Sequence, residues 1–118
     1  MKNENLKART KGYALRIIRL VGTLSKDRTV DVLARQLLRA GTSVGANYRA
    51  ACRAKSTADF IAKMGIVEEE ADESLYWMEL LIDGDFVPEA RLTELMQEGN
   101  EIIAIVVASI RAARNAKA

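Results

Sequence analysis

The sequence predicts an all-α protein, an antiparallel up-down-up-down four-helix bundle in which residues 1–118 form one domain. Its 118 residues include a single proline and are 49% hydrophobic, which suits one buried core better than a disordered or loop-rich chain. Apolar residues recur at steps of three and four, the spacing of one helix face, and no stretch alternates as a strand does. Three short polar breaks divide this pattern, and helices joined by short connections pack antiparallel.

The breaks place four helices at about residues 6–24, 30–54, 57–83 and 88–114. Thr29 is expected to cap the second helix, and Ser56 or Thr57 the third, because a side-chain oxygen accepts from the first free N–H groups. Gly84 suits the end of the third helix. Pro88 suits the first position of the fourth, where its missing N–H costs nothing.

The core side of the second helix follows from steps of four and three. Asn47 is its one polar member, and a buried amide needs hydrogen-bond partners, so we expect Asn47 to bond across to another helix and fix the register. Gly41 and Gly45 each cost about 1 kcal/mol relative to alanine in a helix, and close packing of a neighbouring helix would explain both. The residues of this core side are Leu33, Leu37, Ala40, Val44, Asn47, Ala51 and Ala54.

Charge is divided unevenly along the chain. Residues 1–55 contain 13 Lys and Arg against 3 Asp and Glu, a charge of +10. Residues 56–118 contain 5 against 13, a charge of −8. This division predicts either an anionic partner for the basic part or ion pairing between the two parts.

Four arginines of the second helix share its outer side. At 100° per residue they fall within about 80° of one another, opposite the core side. They are Arg35, Arg39, Arg49 and Arg53, with Thr42 and Ala46 between them. Three interpretations stay open: a solvated charged face, a contact with acidic residues of another helix or subunit, and phosphate binding.

If the arginines bind phosphate, the basic surface also includes cations of the first helix, namely Lys7, Arg9, Lys11, Arg16 and Arg19. Affinity for nucleic acid would then fall steeply with salt. Aromatic residues are not interleaved with these cations, so base stacking and sequence-specific reading are not supported.

The third helix carries apolar residues on two sides. Its core side consists of Phe60, Met64, Val67, Ala71, Ser74, Met78 and Leu81. The opposite side combines apolar and acidic residues, namely Ile66, Glu69, Glu73, Tyr76, Trp77 and Leu80. Exposed apolar area of this kind is typical of an interface, so we expect self-association through this side. Alternatively, Tyr76 and Trp77 wrap around the edge of the bundle.

Missing residue types argue against catalysis. The chain has no histidine, which removes the commonest general base and the imidazole metal ligands. An enzymatic function would rest on Glu69, Glu70 and Glu73, for which ion pairing is the simpler interpretation. We therefore expect no catalytic residues, no metal site, no cofactor and no enzymatic activity.

The expected location is cytoplasmic, without a membrane partner. The longest apolar stretch, residues 102–110, is far shorter than the roughly 20 residues that cross a bilayer. Residues 1–5 lead into no apolar signal core. The single cysteine cannot form a disulfide within the chain, as is usual for cytoplasmic proteins.

The stretch from Arg35 to Arg49, RQLLRAGTSVGANYR, followed by Ser-x-x-Asp-Phe at residues 56–60, resembles the four-helix-bundle proteins encoded in 23S ribosomal RNA intervening sequences. Many members have Asn-Ile-Ala-Glu-Gly where this chain has Asn-Tyr-Arg-Ala-Ala at residues 47–51. The resemblance covers about residues 10–110 and includes three further segments, at residues 65–66, 69–74 and 76–77.

The resemblance implies a left-handed antiparallel bundle that assembles as a ring-shaped homopentamer, without established enzymatic activity or cofactor. More distantly, the chain is similar to the accessory proteins of diversity-generating retroelements, basic pentameric bundles that bind nucleic acid. Expected partners are therefore further copies of the chain and RNA or DNA. The prediction is a non-enzymatic homo-oligomer that binds nucleic acid through a basic face. The alternative is a protein-interaction scaffold whose basic and acidic faces pair between subunits.

Overall fold

In a computed structural model, the chain forms four α-helices and no strand within residues 2–117, the part that the structure describes, with side chains from residue 5 to residue 116. The helices are α1 (Lys2–Gly22), α2 (Arg28–Cys52), α3 (Thr57–Asp83) and α4 (Glu89–Lys117). They pack into a rod of 50 × 22 × 20 Å. The all-α four-helix prediction is confirmed.

The start of α2 differs from the prediction because Asp27, and not Thr29, caps the helix. Oδ2 of Asp27 accepts hydrogen bonds from the backbone N–H groups of Thr29 at 3.0 Å and Val30 at 3.2 Å. Its negative charge also suits the positive end of the helix dipole. The helix therefore begins at Arg28, two residues earlier than the apolar spacing alone suggests.

The remaining differences in helix length lie at helix ends. α1 and α2 each stop two residues before their predicted ends, whereas α1 starts earlier and α4 continues further than predicted. The α3 bounds agree with the prediction. Ser56 caps its start, where Oγ accepts from the N–H of Asp59 at 3.0 Å, and Gly84 ends it by donating its N–H to the Leu80 carbonyl at 2.9 Å.

The core side of α2 passes through Tyr48 and not through Asn47. Tyr48 is 1% exposed, whereas Asn47 is half-buried. Burying the tyrosine ring removes more apolar surface from water and leaves the amide free to hydrate. The same rotation buries Ala34 in place of Leu33, which is half-buried.

The Asn47 amide does not make the expected bond to another helix. Its Nδ2 donates to the backbone carbonyl of Ser43, one turn back on α2, at 2.8 Å. This bond stays within one helix, so it cannot fix the register between helices.

Two glycines of α2 let α1 approach closely, as predicted. A Cβ at Gly41 would overlap the Ile17 side chain, and one at Gly45 would lie 3.3 Å from Thr10 Oγ1. Residue numbers fall along α1 as they rise along α2 through these contacts, as expected of antiparallel neighbours. The close approach explains why the helix tolerates both glycines.

A buried hydrogen bond joins α1 to α3 across the bundle. The Tyr13 hydroxyl lies 2.7 Å from Ser74 Oγ, and both side chains are fully buried. Oγ of Ser74 also donates to the Ala71 carbonyl at 2.6 Å. Burial raises the pKa of Tyr13 to about 12, so the hydroxyl stays protonated at neutral pH. Gly99 on α4 makes room for this group, since a Cβ there would lie 2.7 Å from the hydroxyl.

Candidate nucleic-acid and subunit interfaces

The arginines selected from the sequence separate into a paired and an unpaired group. Arg9, Arg35 and Arg39 form ion pairs within the chain. In contrast, the side chains of Arg16, Arg19, Arg49 and Arg53 are exposed, and no carboxylate of the described residues lies within 4.0 Å of them. The charge available to a phosphate is therefore smaller than the sequence count, and it is localised.

Arg9 joins α1 to α4. Its Nη2 lies 2.6 Å from Glu98 Oε1 and 2.8 Å from Glu101 Oε1, while Nε donates to Glu98 Oε2 at 2.9 Å. The Glu98 pairing is bidentate, the strong geometry for a guanidinium and a carboxylate. These bonds raise the pKa of Arg9, and Arg9 in turn holds the pKa of Glu101 below its usual value. Arg9, expected among the phosphate contacts, is thus neutralised within the chain.

Arg39 joins α2 to α3. Its Nη2 donates to Glu73 Oε1 at 2.6 Å, and its Nη1 lies 3.9 Å from Glu70 Oε2. Arg39 therefore fits one of the three interpretations of the α2 arginines, a contact with acidic residues of another helix. The contact lies inside one subunit. Arg35 makes a local pair with Asp31, one turn earlier on the same helix, at 2.9 Å.

Unpaired cations accumulate where α1 begins and α2 ends. Thr10 packs against Gly45, Lys7 precedes Thr10 by about one turn, and Arg49 follows Gly45 by about one turn. Packed in opposite directions, the two helices therefore bring these cations to the same end of the bundle. We call this the basic end patch, and its exposed members are Lys7, Lys11, Arg49 and Arg53.

The outer surface shared by α2 and α3 alternates between apolar and charged residues. Two turns separate Arg39 from Val32, and two turns separate its partner Glu73 from Leu80. Antiparallel packing, which the short connection between α2 and α3 predicts, would put Val32 beside Leu80 and, by the same spacing, Ile66 beside Ala46. We call this the α2–α3 surface, formed by Val32, Arg39, Ala46, Ile66, Glu73, Tyr76, Trp77 and Leu80.

Three apolar residues of this surface are exposed. The exposed fraction is 55% for Val32, 42% for Ile66 and 52% for Tyr76. The Trp77 ring is half-buried and meets the Tyr76 ring edge-on, with centroids 5.2 Å apart. Glu69, also predicted to belong here, is exposed on α3.

Two buried polar atoms within the described residues lack a hydrogen-bond partner, and both belong to the α3 side chains that face α2. They are Oε1 of Glu70 and Nε1 of Trp77. Buried polar atoms nearly always have a hydrogen-bond partner. A donor for the Glu70 oxygen and an acceptor for the Trp77 N–H are missing from the described residues, and a water molecule could supply them.

Sequence reasoning missed Arg91, a basic residue of the acidic part of the chain. It lies on α4 and lines a cavity of about 310 Å³ between α1 and α4, together with Arg16, Arg19 and Thr23. The available signal was its isolation, since residues 56–118 contain only five Lys and Arg. Val32 was missed as well, although it lies two turns before Arg39.

The described part of the chain contains neither a cluster of metal-ligating side chains nor a membrane-spanning helix. No group of three or more Cys, Asp or Glu residues there is arranged to hold a metal ion. Across residues 2–117, none of the helices combines the length and apolar character needed to cross a membrane.

The chain is similar to known proteins over almost its whole length. The family model described as 23S rRNA-intervening sequence protein matches residues 3–108. A crystal structure at 1.70 Å of a protein with unknown function, from the S23 ribosomal protein family of Bacteroides thetaiotaomicron VPI-5482, has a TM-score of 0.88 and 36% sequence identity. The match covers 94% of this chain and 99% of that chain. None of the curated proteins matches the chain.

Proposed function

Because the chain belongs to the 23S rRNA-intervening sequence protein family, whose fold it shares, we propose that it acts as a self-associating helical bundle that binds nucleic acid through phosphate contacts. The single observation that carries the proposal is the separation of its arginines. Those within reach of carboxylates are neutralised inside the chain, whereas the basic end patch remains exposed and unpaired with any described carboxylate. No catalytic residue, metal or cofactor takes part in this function.

The basic end patch suits a phosphate backbone better than a base-specific contact. Arg49 lies in the last turn of α2 and Arg53 is the residue that follows the helix, so both side chains are placed at this end of the bundle. Neither is held by a carboxylate of the described residues, so binding does not first have to break such an ion pair. Lys7 and Lys11 lie four residues apart on α1. Affinity that depends on charge and ignores sequence is expected from this arrangement.

Self-association is proposed to use the α2–α3 surface. Covering Val32, Ile66 and Tyr76 would remove apolar area from water, which is the main driving force of association. We propose five copies in a ring, a number that rests on the family resemblance alone, and a cytoplasmic location, which rests on the single cysteine.

The nucleic-acid proposal is tested by fluorescence anisotropy with a labelled RNA and a labelled DNA duplex between about 0.05 and 0.3 M salt. The double variant Arg49→Gln/Arg53→Gln should weaken binding at least about tenfold. On duplex DNA, its logarithmic salt slope should be shallower by roughly 0.9 for each phosphate that is no longer neutralised. The matched control is Arg35→Gln/Arg39→Gln, which removes the same charge from the same helix at paired positions. Affinity unchanged across this salt range, or equally weakened binding in both variants, would contradict the proposal.

A second candidate is the protein-interaction scaffold whose basic and acidic faces pair between subunits. It is favoured by one observation: Arg39 and Glu73, at the centre of the α2–α3 surface, keep 56% and 40% of their side chains exposed, so each could also contact the opposite charge of a neighbour. Identical subunits that join unlike faces form rings when the rotation closes.

The charge reversal Arg39→Glu separates the two candidates. It sets a carboxylate at position 39 opposite Glu73, both inside each subunit and across any contact that pairs these two positions between subunits. An assembly held by such pairing should dissociate in this variant, as measured by sedimentation velocity, while circular dichroism shows that the subunits remain folded. An intact assembly would leave the apolar contacts as the basis of association.

A further inference from the structure

The cavity between α1 and α4 near the end of α1 gathers three arginines from two helices. Arg16 and Arg19 come from α1, and Arg91 comes from the first turns of α4. Leu20, Leu92 and Leu95 form the apolar part of its lining, and Thr23 adds a hydroxyl. We call this cavity the arginine groove. It is separate from the basic end patch, which lies where α1 begins.

The groove carries positive charge that the described residues do not neutralise. No carboxylate oxygen of the described residues lies within 4.0 Å of the three guanidinium groups, and all three side chains are exposed. The nearest acidic positions along α4 are Glu89, two residues before Arg91, and Glu94, about one turn beyond it, and both are exposed. At the other end of the same helix pair, two carboxylates hold Arg9. The α1–α4 contact thus has one neutralised end and one end with three cations that no described carboxylate pairs.

A hydrogen bond joins Arg91 to Thr23 in this groove. Nη2 of Arg91 donates to Thr23 Oγ1, whose own hydrogen is donated to the Leu20 carbonyl at 2.7 Å. A guanidinium has five N–H donors, so this bond leaves the others available. A guanidinium held in place loses less freedom when it binds an anion than one that moves freely in water.

We propose that the arginine groove is a discrete phosphate-binding site, in which Arg91 is the fixed donor and Arg16 and Arg19 close from α1. A planar guanidinium matches two phosphate oxygens at once, and three of them around one cavity suit a compact multiply charged anion. The phosphate comes either from a nucleic-acid strand, in which case the inference rests on the proposed function, or from a free phosphate compound.

The first arm of the test uses inorganic pyrophosphate, titrated into the folded protein by isothermal calorimetry at constant ionic strength. Arg91→Gln should weaken binding about tenfold or more. Arg91→Lys should recover only part of the affinity, because lysine keeps the charge without the fork. Arg111→Gln, an exposed arginine near the far end of α4, is the matched control and should leave binding unchanged. Glu94→Gln should strengthen binding.

The second arm uses one oligonucleotide with a 5′-hydroxyl and the same oligonucleotide with a 5′-phosphate. Weaker binding of both by Arg91→Gln indicates a backbone phosphate, and weaker binding of the 5′-phosphate form alone indicates a terminal phosphate. Pyrophosphate binding that depends on Arg91, with no oligonucleotide bound, would support the groove and reject the nucleic-acid function. The inference is overturned if Arg91→Gln and Arg111→Gln behave alike in both arms while circular dichroism shows both folded.

Discussion

The α2–α3 surface and the arginine groove lie between different helix pairs, and they differ in whether a carboxylate neutralises their arginines. On the α2–α3 surface, Arg39 forms an ion pair with Glu73, and the same surface exposes the apolar residues Val32 and Ile66. In the groove, Arg16, Arg19 and Arg91 share a cavity without a described carboxylate in contact. In the sequence, Arg39 on α2 and both Arg16 and Arg19 on α1 belong to the basic part of the chain. Whether a neighbouring helix places a carboxylate within reach of the arginines, and not the number of arginines, decides which region has charge left for a ligand.

The largest effect is expected at the proposed contact between subunits. Ile66→Glu on the α2–α3 surface should raise the dissociation constant of the assembly about 100-fold or more, because a carboxylate would have to lose its water in an apolar contact. Sedimentation velocity at micromolar concentration measures it. Ile18→Glu on α1 is the matched control, since Ile18 is 47% exposed and Ile66 is 42% exposed. Equal dissociation in both variants would assign the contact elsewhere.

Packing between α1 and α4 offers a second contrast, between two glycines. Gly99→Ala should lower the free energy of unfolding by about 1–3 kcal/mol, because its Cβ would lie 2.7 Å from the Tyr13 hydroxyl and 2.9 Å from Leu75 Cδ2. Gly12→Ala should raise it by about 0.5–1 kcal/mol, because nothing lies within 4 Å of its Cβ. Urea denaturation measures both. A stabilised Gly99→Ala variant would show that the core beside Tyr13 has room for the added methyl group.

The smallest contrast concerns two ion pairs of different burial. Arg9→Gln should cost about 1–3 kcal/mol of unfolding free energy, because it leaves the part-buried Glu98 without its charged partner. Arg39→Gln should cost at most about 1 kcal/mol, since the Arg39 side chain is 56% exposed. Urea denaturation of both variants measures the difference. Equal costs would mean that burial does not distinguish the two pairs.

The same Arg9 pair predicts a pH dependence. Arg9 and then Gln97 hold the pKa of Glu101 below its usual value of 4.5, so the unfolded chain takes up a proton at higher pH than the folded protein does. This stabilisation is complete above the unfolded pKa and is lost as the pH falls through the lower folded pKa. Between about pH 5 and pH 3, the melting temperature of the unsubstituted chain should fall more steeply than that of Arg9→Gln. Asp59, whose pKa is lowered by Lys63, contributes equally to both.

Local features of the fold were predictable from the sequence, whereas charge pairing was not. The α3 bounds and the Ser56 and Gly84 caps depend on neighbours within a few residues, and the sequence pattern located them. Asn47 was wrongly predicted to face the core. Asn47 and Tyr48 are neighbours on α2, and which of them is buried depends on the side chain that the other helices can enclose. Arg91 was missed because Arg16 and Arg19, with which it shares the cavity, are more than 70 residues away in the chain. Only the packed register of α1 against α4 brings them together.

The hydroxyl of Tyr13 reaches Ser74 on α3 while its ring occupies the space that Gly99 leaves on α4. Three helices therefore meet at one side chain near the middle of the rod. A slip of α1 by a single residue would move that hydroxyl by about 1.5 Å along the axis and separate it from its partner. Sliding of α1 along the bundle axis is thus opposed at the centre of the rod.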